Sequence, residues 1–520
     1  MSAEHCLEIA CQKLPVANRA MQEYGDKPLS AYLQNFILPP VPSYQSRDDF
    51  FDAVYRYAAP LLGEIIAEKA VRDLKNCPVI LTANHLGVEY FSQSLQSSLI
   101  FSMNAVKQSF PRAGIPVFSF GNVPLNNLTY PRGALLYHVH PEKLDQMPFR
   151  LPIFPDSFKR RLAGTAPCFD RNMLTRAGLR LNKMLEGRQI HPDAGRVLKR
   201  ILEKDYGADS VLSVPDYSQQ AALLNTRIWK QLFAEPDAAP KLLYLEMEKI
   251  ASMLLPSDLA NSESLAHRVL FDAALRKEIL ELLDGVNGCW VQKSLAQRLL
   301  SDRPDNARQR LPESCGTVFF WGIDKLGRRI PLSIETDKNN REILGGIDDH
   351  RNRFELPFTP EDFLEYLENK RLLPSLFTCF LALSFARGLA CIGGYFQGEY
   401  LPAIQKGLAT ALRAAGYADA AEPVSKVPTH FYLSGMLGIM AKVADQCLIP
   451  AGPVEIIAGG GITAKDMEQM CSLTLREAHL AGLFETLPDI LSPEKLRAGG
   501  WKKELAADCF RLLNGKAVVK

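Results

Sequence analysis

The stretch LTANHLGVEYFSQ, residues 81–93, places two ionisable side chains directly after a short apolar run. His85 follows the run that ends at Leu81, and Glu89 comes four residues later. If the run is a buried strand, His85 lies just past its carboxyl end, where open α/β folds commonly bind ligands. His85 and Glu89 are therefore candidate catalytic residues. The alternative for Glu89 is a solvent-exposed residue that favours a helix N-terminus.

Two histidines stand close together in the segment ALLYHVHPEKL. Alternate side chains of a strand share a face, so His138 and His140 would point the same way. Neutral imidazoles bind divalent transition metals without burying a charge, and His85, Glu89 or Glu142 would supply a further ligand. The sequence therefore predicts one divalent transition metal at this pair. The alternative is two histidines with ordinary hydrogen bonds.

The loop GGIDDHRNRF, residues 345–354, concentrates charged side chains. Asp349 beside His350 is a candidate acid–base pair, because a carboxylate raises the basicity of a neighbouring imidazole. Arg351 and Arg353 are candidate substrate-binding residues, since guanidinium groups match carboxylate or phosphate oxygens. The alternative is a solvated loop whose charges compensate each other.

Other basic or glycine-rich segments could also hold an anion. Arg132 lies in NNLTYPRG, and FKRR occupies residues 158–161. In EIIAGGGITAKDMEQM a short strand would lead through glycines into a helix capped by Thr463, so that backbone N–H groups could bind a phosphate. An ordinary strand-to-helix turn would have the same pattern. The candidate phosphate-binding glycines are Gly459, Gly460 and Gly461.

The segment HLGVE resembles the histidine-plus-acid motif of membrane glycerolipid acyltransferases, in which the acid follows the histidine by five residues. Here the spacing is four, and no apolar segment is long enough to span a bilayer. The family is therefore not assigned. Neither GxSxG nor HExxH occurs, which argues against serine-hydrolase and zincin chemistry.

Both helices and strands are predicted around these residues. The periodicity of residues 48–76 predicts helix, and strands are predicted at 77–83, 115–120 and 133–140, with a helix over 88–98. If the first and third of these strands are parallel, His85 and Glu89 emerge at the same sheet edge as His138 and His140.

The middle of the chain, from about Asp170 to Arg303, has helical spacing in the long stretches 218–233, 241–254 and 262–283. Residues 301–316 are polar, contain two prolines and predict a connection. A β-hairpin is predicted over 316–335 around Asp324 to Gly327. Helices are expected to dominate from 360 to about 446, followed by a short strand at 454–457.

These patterns predict an α/β fold, with a mixed α+β fold as the alternative. The predicted organisation is an α/β region at residues 1–169, a helical block at 170–303, and a hairpin-plus-helices region at 304–520. The strands of the first and last regions could share one sheet, and the sequence leaves this open.

The composition excludes several classes of protein. The 520 residues are 47% hydrophobic and 23% charged, with a net charge of +2, so the chain has no global attraction to nucleic acid or to an anionic membrane. No signal peptide is evident at the N-terminus, which predicts a cytoplasmic protein. The eleven cysteines include no CxxC pair, which argues against zinc ribbons and iron–sulfur clusters.

Three functions agree with these observations. The first is a cytoplasmic enzyme that acts on a small anionic metabolite by metal-assisted hydrolysis or lyase chemistry. The second is a metal-free group transferase with His85 as general base and arginines that bind the anion. The third is a non-catalytic scaffold whose helical block binds a protein partner. The expected partner is a small-molecule substrate, with no nucleic acid and no membrane, and homo-oligomerisation is left open.

Overall fold

The structure is a computed structural model that describes residues 2–107, 114–291, 316–492, 496 and 500–520. The predicted connection at 301–316 lies outside these residues except for Gly316. The described residues form strands with the following bounds: β1 Val79–Leu81, β2 Gly114–Ser119, β3 Gly133–Leu136, β4 Phe149–Pro152, β5 Lys241–Glu246, β6 Phe320–Ile323, β7 Arg329–Pro331, β8 Ser333–Thr336, β9 Glu342–Ile347, β10 Arg353–Pro357, β11 Leu372–Pro374, β12 Ala390–Gly394, β13 Tyr432–Ser434, β14 Ile439–Ala444, β15 Cys447–Pro450 and β16 Val518–Val519.

Helices surround these strands, so the mixed α/β class predicted from the sequence is confirmed. Among the described residues, no helix has both the length and the apolar character that a bilayer crossing requires. The α-helices are Ala3–Lys13, Pro15–Tyr24, Leu29–Leu33, Asp48–Leu62, Glu64–Asn76, Ser92–Lys107, Arg171–Glu186, Pro192–Ile201, Asp209–Leu212, Tyr217–Gln231, Met247–Ala260, Leu265–Phe271, Ala273–Leu282, Pro360–Glu368, Leu376–Phe380, Tyr395–Ala414, Ala418–Lys426, Pro453–Ala458, Ala464–Ser472, Leu475–Ile490 and Trp501–Leu513.

The main sheet has five parallel strands in the order β13-β12-β1-β2-β5. From β1 the chain adds β2 and β5 on one side, and it later adds β12 and β13 on the other. The strand order therefore reverses beside β1, and the carboxyl ends of strands at such a point are a common ligand-binding position. One sheet takes strands from all three regions that the sequence analysis distinguished.

Both faces of this sheet are covered by core. In β1, Val79 and Leu81 belong to one buried hydrophobic cluster, while Ile80 belongs to the other. In β2, Val117 belongs to the first cluster and Phe118 to the second. Parallel strands that are buried on both faces consist of continuous apolar residues, and the alternation appears in which cluster each residue joins.

Several predicted elements are wrong for this reason. Residues Lys241–Glu246 were predicted as the start of a helix but form β5, and the helix begins at Met247. Strands β12 and β13 also lie in a part predicted to be mainly helical. A short apolar run without alternation fits a doubly buried strand and a buried helix equally well. The reverse error occurs at residues 454–457, which were predicted as a strand and lie in the helix Pro453–Ala458.

The strand predicted at 133–140 is shorter than expected and lies outside the main sheet. It ends at Leu136 and pairs antiparallel with β4 in a two-stranded sheet. Beyond Leu136, the buried carboxylate of Glu455 accepts hydrogen bonds from the backbone N–H groups of Tyr137 and His138, at 2.9 and 3.0 Å. A side chain thus takes the place of a neighbouring strand. The condition that β1 and β3 are parallel strands of one sheet is not met, because β3 pairs only with β4.

The predicted hairpin is confirmed. Strands β6 and β7 pair antiparallel, with Trp321 opposite Pro331, around a turn at Asp324 to Gly327. Oδ1 of Asp324 accepts from the backbone N–H groups of Leu326 and Arg328, and Gly327 adopts a φ of +72°. Asp and Gly at these positions are the residues that such a turn requires.

Candidate active site at the carboxyl edge of the main sheet

His85 lies just beyond the carboxyl end of β1, as the sequence analysis predicted. The chain at Asn84 to Leu86 runs beside β2, because Phe120 donates its N–H to the carbonyl of Asn84 and its carbonyl accepts from Leu86, at 2.9 and 2.8 Å. His85 and Phe120 form an isolated parallel bridge. The backbone of His85 is therefore fixed by the sheet itself.

The ring of His85 is held by the loop that follows β2. Nδ1 lies 3.0 Å from Oδ1 of Asn127 and 3.2 Å from Oγ1 of Thr129. The backbone N–H of Thr129 also points to Oδ1 of Asn127, at 3.3 Å. Because an N–H can only donate, the Asn127 atom that faces both groups is the amide oxygen. With this oxygen 3.0 Å away, the hydrogen of neutral His85 is assigned to Nδ1.

This arrangement leaves Nε2 of His85 as the basic atom. Burial lowers the pKa of the half-buried imidazole, so the ring is neutral at pH 7. No described residue hydrogen-bonds to Nε2, and Nε2 does not belong to the buried unpartnered atoms of the described residues. A neutral histidine whose Nδ1–H is fixed and whose Nε2 is available has the geometry of a general base.

Glu89 is buried, so its interpretation as a solvent-exposed helix residue is wrong. The helix begins at Ser92, and Glu89 lies in the preceding loop with 9% of its surface exposed. Its carboxylate accepts from the hydroxyls of Ser94 and, at 3.0 Å, of Tyr244. Burial raises its pKa to about 7. The same Tyr244 hydroxyl lies 3.0 Å from the backbone carbonyl of His85, so Glu89 supports His85 through Tyr244.

A small cavity of about 10 Å³ lies beside Glu89. Oδ1 of Asn84 is buried there without a hydrogen-bond partner among the described residues. Asn225 closes another side, where its amide accepts from the N–H of Glu89 and donates to the carbonyl of Gly87, both at 2.8 Å. This volume and polarity suit about one water molecule.

Gly87 explains why the motif contains a glycine. A Cβ at this position would lie 2.9 Å from Cα and Cβ of Pro131. The segment carrying His85 therefore packs directly on the loop that carries Asn127, and a larger side chain would push the two apart.

Two buried glutamates fix the start of that loop from the other side. Oε2 and Oε1 of Glu248 accept from the backbone N–H groups of Gly121 and Asn122, at 2.7 and 3.0 Å. Burial, and then the neighbouring Glu246, raise the pKa of Glu248 to about 8. Glu246 ends β5 and Glu248 lies two residues beyond it. The sequence analysis placed both in a helix and selected neither.

The predicted metal ligands are arranged differently from the prediction. The ring of His138 stacks on His191, with centroids 4.2 Å apart and an interplanar angle of 8°. Burial, and then the neighbouring His191, lower the pKa of His138 to about 4. His140 is exposed. Within the described ranges, no three or more His, Cys, Asp or Glu side chains are grouped so that they could hold a metal ion.

Arg132 and the charged loop are bound to other protein groups. Arg132 is buried, donates from Nε to the carbonyl of Phe154 at 2.9 Å, and pairs with Asp156. At the exposed tip between β9 and β10, Arg353 pairs with Glu335 and Glu355. The other predicted residues of this tip are exposed as well: Asp349, His350 and Arg351.

The three glycines Gly459, Gly460 and Gly461 follow a helix and not the predicted strand. Gly461, with a φ of +77°, packs against the backbone of Phe233. Thr463 is an N-cap as predicted, but the carboxylate of Asp466 accepts from its backbone N–H at 2.8 Å. This helix N-terminus therefore already has a negative partner.

Comparison of the chain with protein-family models, with curated proteins and with solved structures gives no match. The functional argument therefore depends on the residues of this chain. The structure brings His85 together with Asn127, Thr129 and Tyr244. Nothing in the sequence NNLTY indicates that its polar residues contact His85. Tyr244 stands in an apolar run, where the sequence does not distinguish it from its neighbours.

Proposed function

We propose that the protein is an enzyme that acts on a small anionic metabolite, with His85 as the general base of a group-transfer reaction. Nε2 of His85 would take a proton from the attacking hydroxyl, thiol or amine, while the Nδ1–H stays on Asn127. The observation that carries the proposal is the contact between Nδ1 of His85 and Oδ1 of Asn127 at the carboxyl edge of β1, where the strand order reverses.

The surroundings of His85 support this role. The sheet fixes its backbone, Asn127 fixes its ring, and Tyr244 joins its carbonyl to the buried Glu89. Catalytic groups need such support, because small displacements cost large factors in rate. A cytoplasmic location is part of the proposal, since no disulfide forms among the ten cysteines of the described residues, which suits a reducing compartment.

His85→Asn is the most informative variant. The amide N–H₂ of asparagine can still donate to Asn127, whereas the atom equivalent to Nε2 is lost. Turnover should be measured on a panel of esters, thioesters and phosphate esters with hydroxyl and amine acceptors. We expect His85→Asn to lower kcat by roughly 10²- to 10⁴-fold, which is the usual contribution of a general base, with an unchanged melting temperature.

The accessibility of Nε2 can be tested without a substrate. Diethyl pyrocarbonate acylates unprotonated imidazole nitrogens, and peptide mass spectrometry locates the product. We expect His85 to react at mildly acidic pH, because burial lowers its pKa and keeps the imidazole unprotonated. His5→Asn serves as the control and should change neither turnover nor stability. Full activity in His85→Asn, or no reaction at His85, would refute the general-base role.

A further inference from the structure

Four arginines from two distant segments meet beside the loop that holds His85. Arg160 and Arg161 belong to the FKRR run, and Arg328 and Arg329 end the β6–β7 turn. The turn lies on the run, because the carbonyl of Gly327 accepts from the backbone N–H of Leu162 at 2.9 Å. In the sequence these are two separate basic runs. In the fold they lie together, and we call Arg160, Arg161, Arg328 and Arg329 the four-arginine cluster.

Around Arg160, Arg161 and Arg328, the positive charge exceeds the negative charge of Asp349, the carboxylate with which two of them pair. Arg160 and Arg328 both pair with one oxygen of Asp349, at 2.7 and 3.4 Å, so that two guanidinium groups share one carboxylate. Nε of Arg161 donates to the carbonyl of Leu326 at 2.7 Å, a neutral partner. The two guanidinium groups that share Asp349 repel each other, and an additional anion would relieve that repulsion.

Arg329 extends the cluster to the carboxyl edge of the main sheet. Its Cζ lies 4.6 Å from the ring centroid of Trp321, a cation–π contact that fixes the guanidinium plane. Its Nη1 lies 3.5 Å from the carbonyl of Asn122. Asn122 is two residues from Phe120, the bridge partner of His85.

One loop connects the cluster with the histidine. The backbone N–H groups of Leu125 and Asn126 donate to the carbonyls of Arg161 and Lys159, at 2.9 and 3.1 Å. The next residue, Asn127, holds Nδ1 of His85. A ligand that lies along this loop could therefore reach both the arginines and Nε2.

We propose that the four-arginine cluster binds a polyphosphate or other phosphate-bearing group of the substrate, and so sets the substrate class. This inference rests on the proposed function of His85. Guanidinium groups bind phosphate oxygens with two parallel hydrogen bonds, and a group with several negative charges can engage more than one arginine. Nucleic acid is the weaker match, because the net charge of the chain is only +2 and the basic residues form one compact cluster.

The test is calorimetric titration of the full chain with inorganic tripolyphosphate. We expect binding that weakens as salt is added, because the contact is electrostatic. Arg161→Gln, Arg329→Gln and the double variant Arg160→Gln, Arg328→Gln should each raise Kd by ~10-fold or more, the loss of at least one charge-assisted hydrogen bond. Arg341→Gln removes one charge, as each single variant does, from an exposed arginine that pairs with Asp337 outside the cluster, and it should bind like the wild type.

Parallel titrations identify other ligands. A single-stranded oligonucleotide and vesicles of anionic phospholipid should bind no better than tripolyphosphate. Tight binding of either one without tripolyphosphate binding would overturn the proposal. So would equal affinities in the cluster variants and in Arg341→Gln.

His85→Asn separates this inference from the proposed function. It should bind tripolyphosphate as the wild type does while losing turnover. If the arginine variants lose binding and His85→Asn keeps full turnover, the general-base proposal fails and the anion site stands. If turnover depends on His85 and no variant affects anion binding, the anion site fails alone.

Discussion

Oδ1 of Asn127 lies 3.0 Å from Nδ1 of His85, and the N–H of Thr129 identifies that atom as the oxygen. The two residues are 42 positions apart, and the sheet and the loop after β2 bring them together. Their contact decides which ring nitrogen can act as a base.

Asn127 should control the chemistry of His85. Asn127→Asp places a carboxylate at Nδ1, which favours the imidazolium, so the pKa of His85 should rise. Asn127→Ala removes the acceptor and should lower kcat with little change in KM, because the ring loses its fixed tautomer. Both effects can be followed by NMR titration and by kinetics. Asn126→Ala is the matched control, and a similar effect there would contradict the assignment.

Glu89 should make the protein less stable as the pH rises. Its pKa is about 7 in the folded chain, against about 4.3 when unfolded, so the folded state binds the proton more tightly. The stabilisation is complete below the unfolded pKa and is lost as the pH rises through about 7. Urea unfolding of Glu89→Gln should show a flatter dependence on pH over this interval. An unchanged slope would exclude Glu89 as the titrating group.

The stacked pair of His138 and His191 should make the protein less stable as the pH falls, which is opposite to the effect of Glu89. The pKa of His138 is about 4 in the folded chain and about 6.5 when unfolded, so the unfolded state binds the proton more tightly. Stability should fall as the pH drops from about 6.5 to about 4. In His191→Gln the neighbouring imidazole is gone, and an NMR titration should give a higher pKa for His138. His5→Gln should leave it unchanged.

The predicted transition metal at His138 and His140 can be tested directly. The prediction requires a near-stoichiometric metal in untagged protein, measured by mass spectrometry, and its loss in the double variant His138→Ala, His140→Ala. Chelation should then lower the melting temperature, because a bound ion stabilises only the folded state. A protein that takes up no zinc, iron or manganese and keeps its turnover with chelator would contradict it.

The sequence alone determined the local features. The apolar run before His85 predicts β1 and the position of the histidine beyond it, because a strand and its end depend on neighbouring residues. The turn at Asp324 to Gly327 was predictable for the same reason, since Asp and Gly set its backbone geometry locally. The cap at Thr463 likewise needs only its own helix.

Tertiary structure decided the rest. Strands β5 and β12 could not be recognised, because burial on both faces removes the alternation that identifies a strand. Whether Glu89 faces water or the core depended on Tyr244, which reaches it from another strand of the sheet. The partners of His85 and the meeting of Arg160 with Arg328 are contacts between residues far apart in sequence. Such contacts depend on how the whole chain packs, and no local pattern of residue types encodes them.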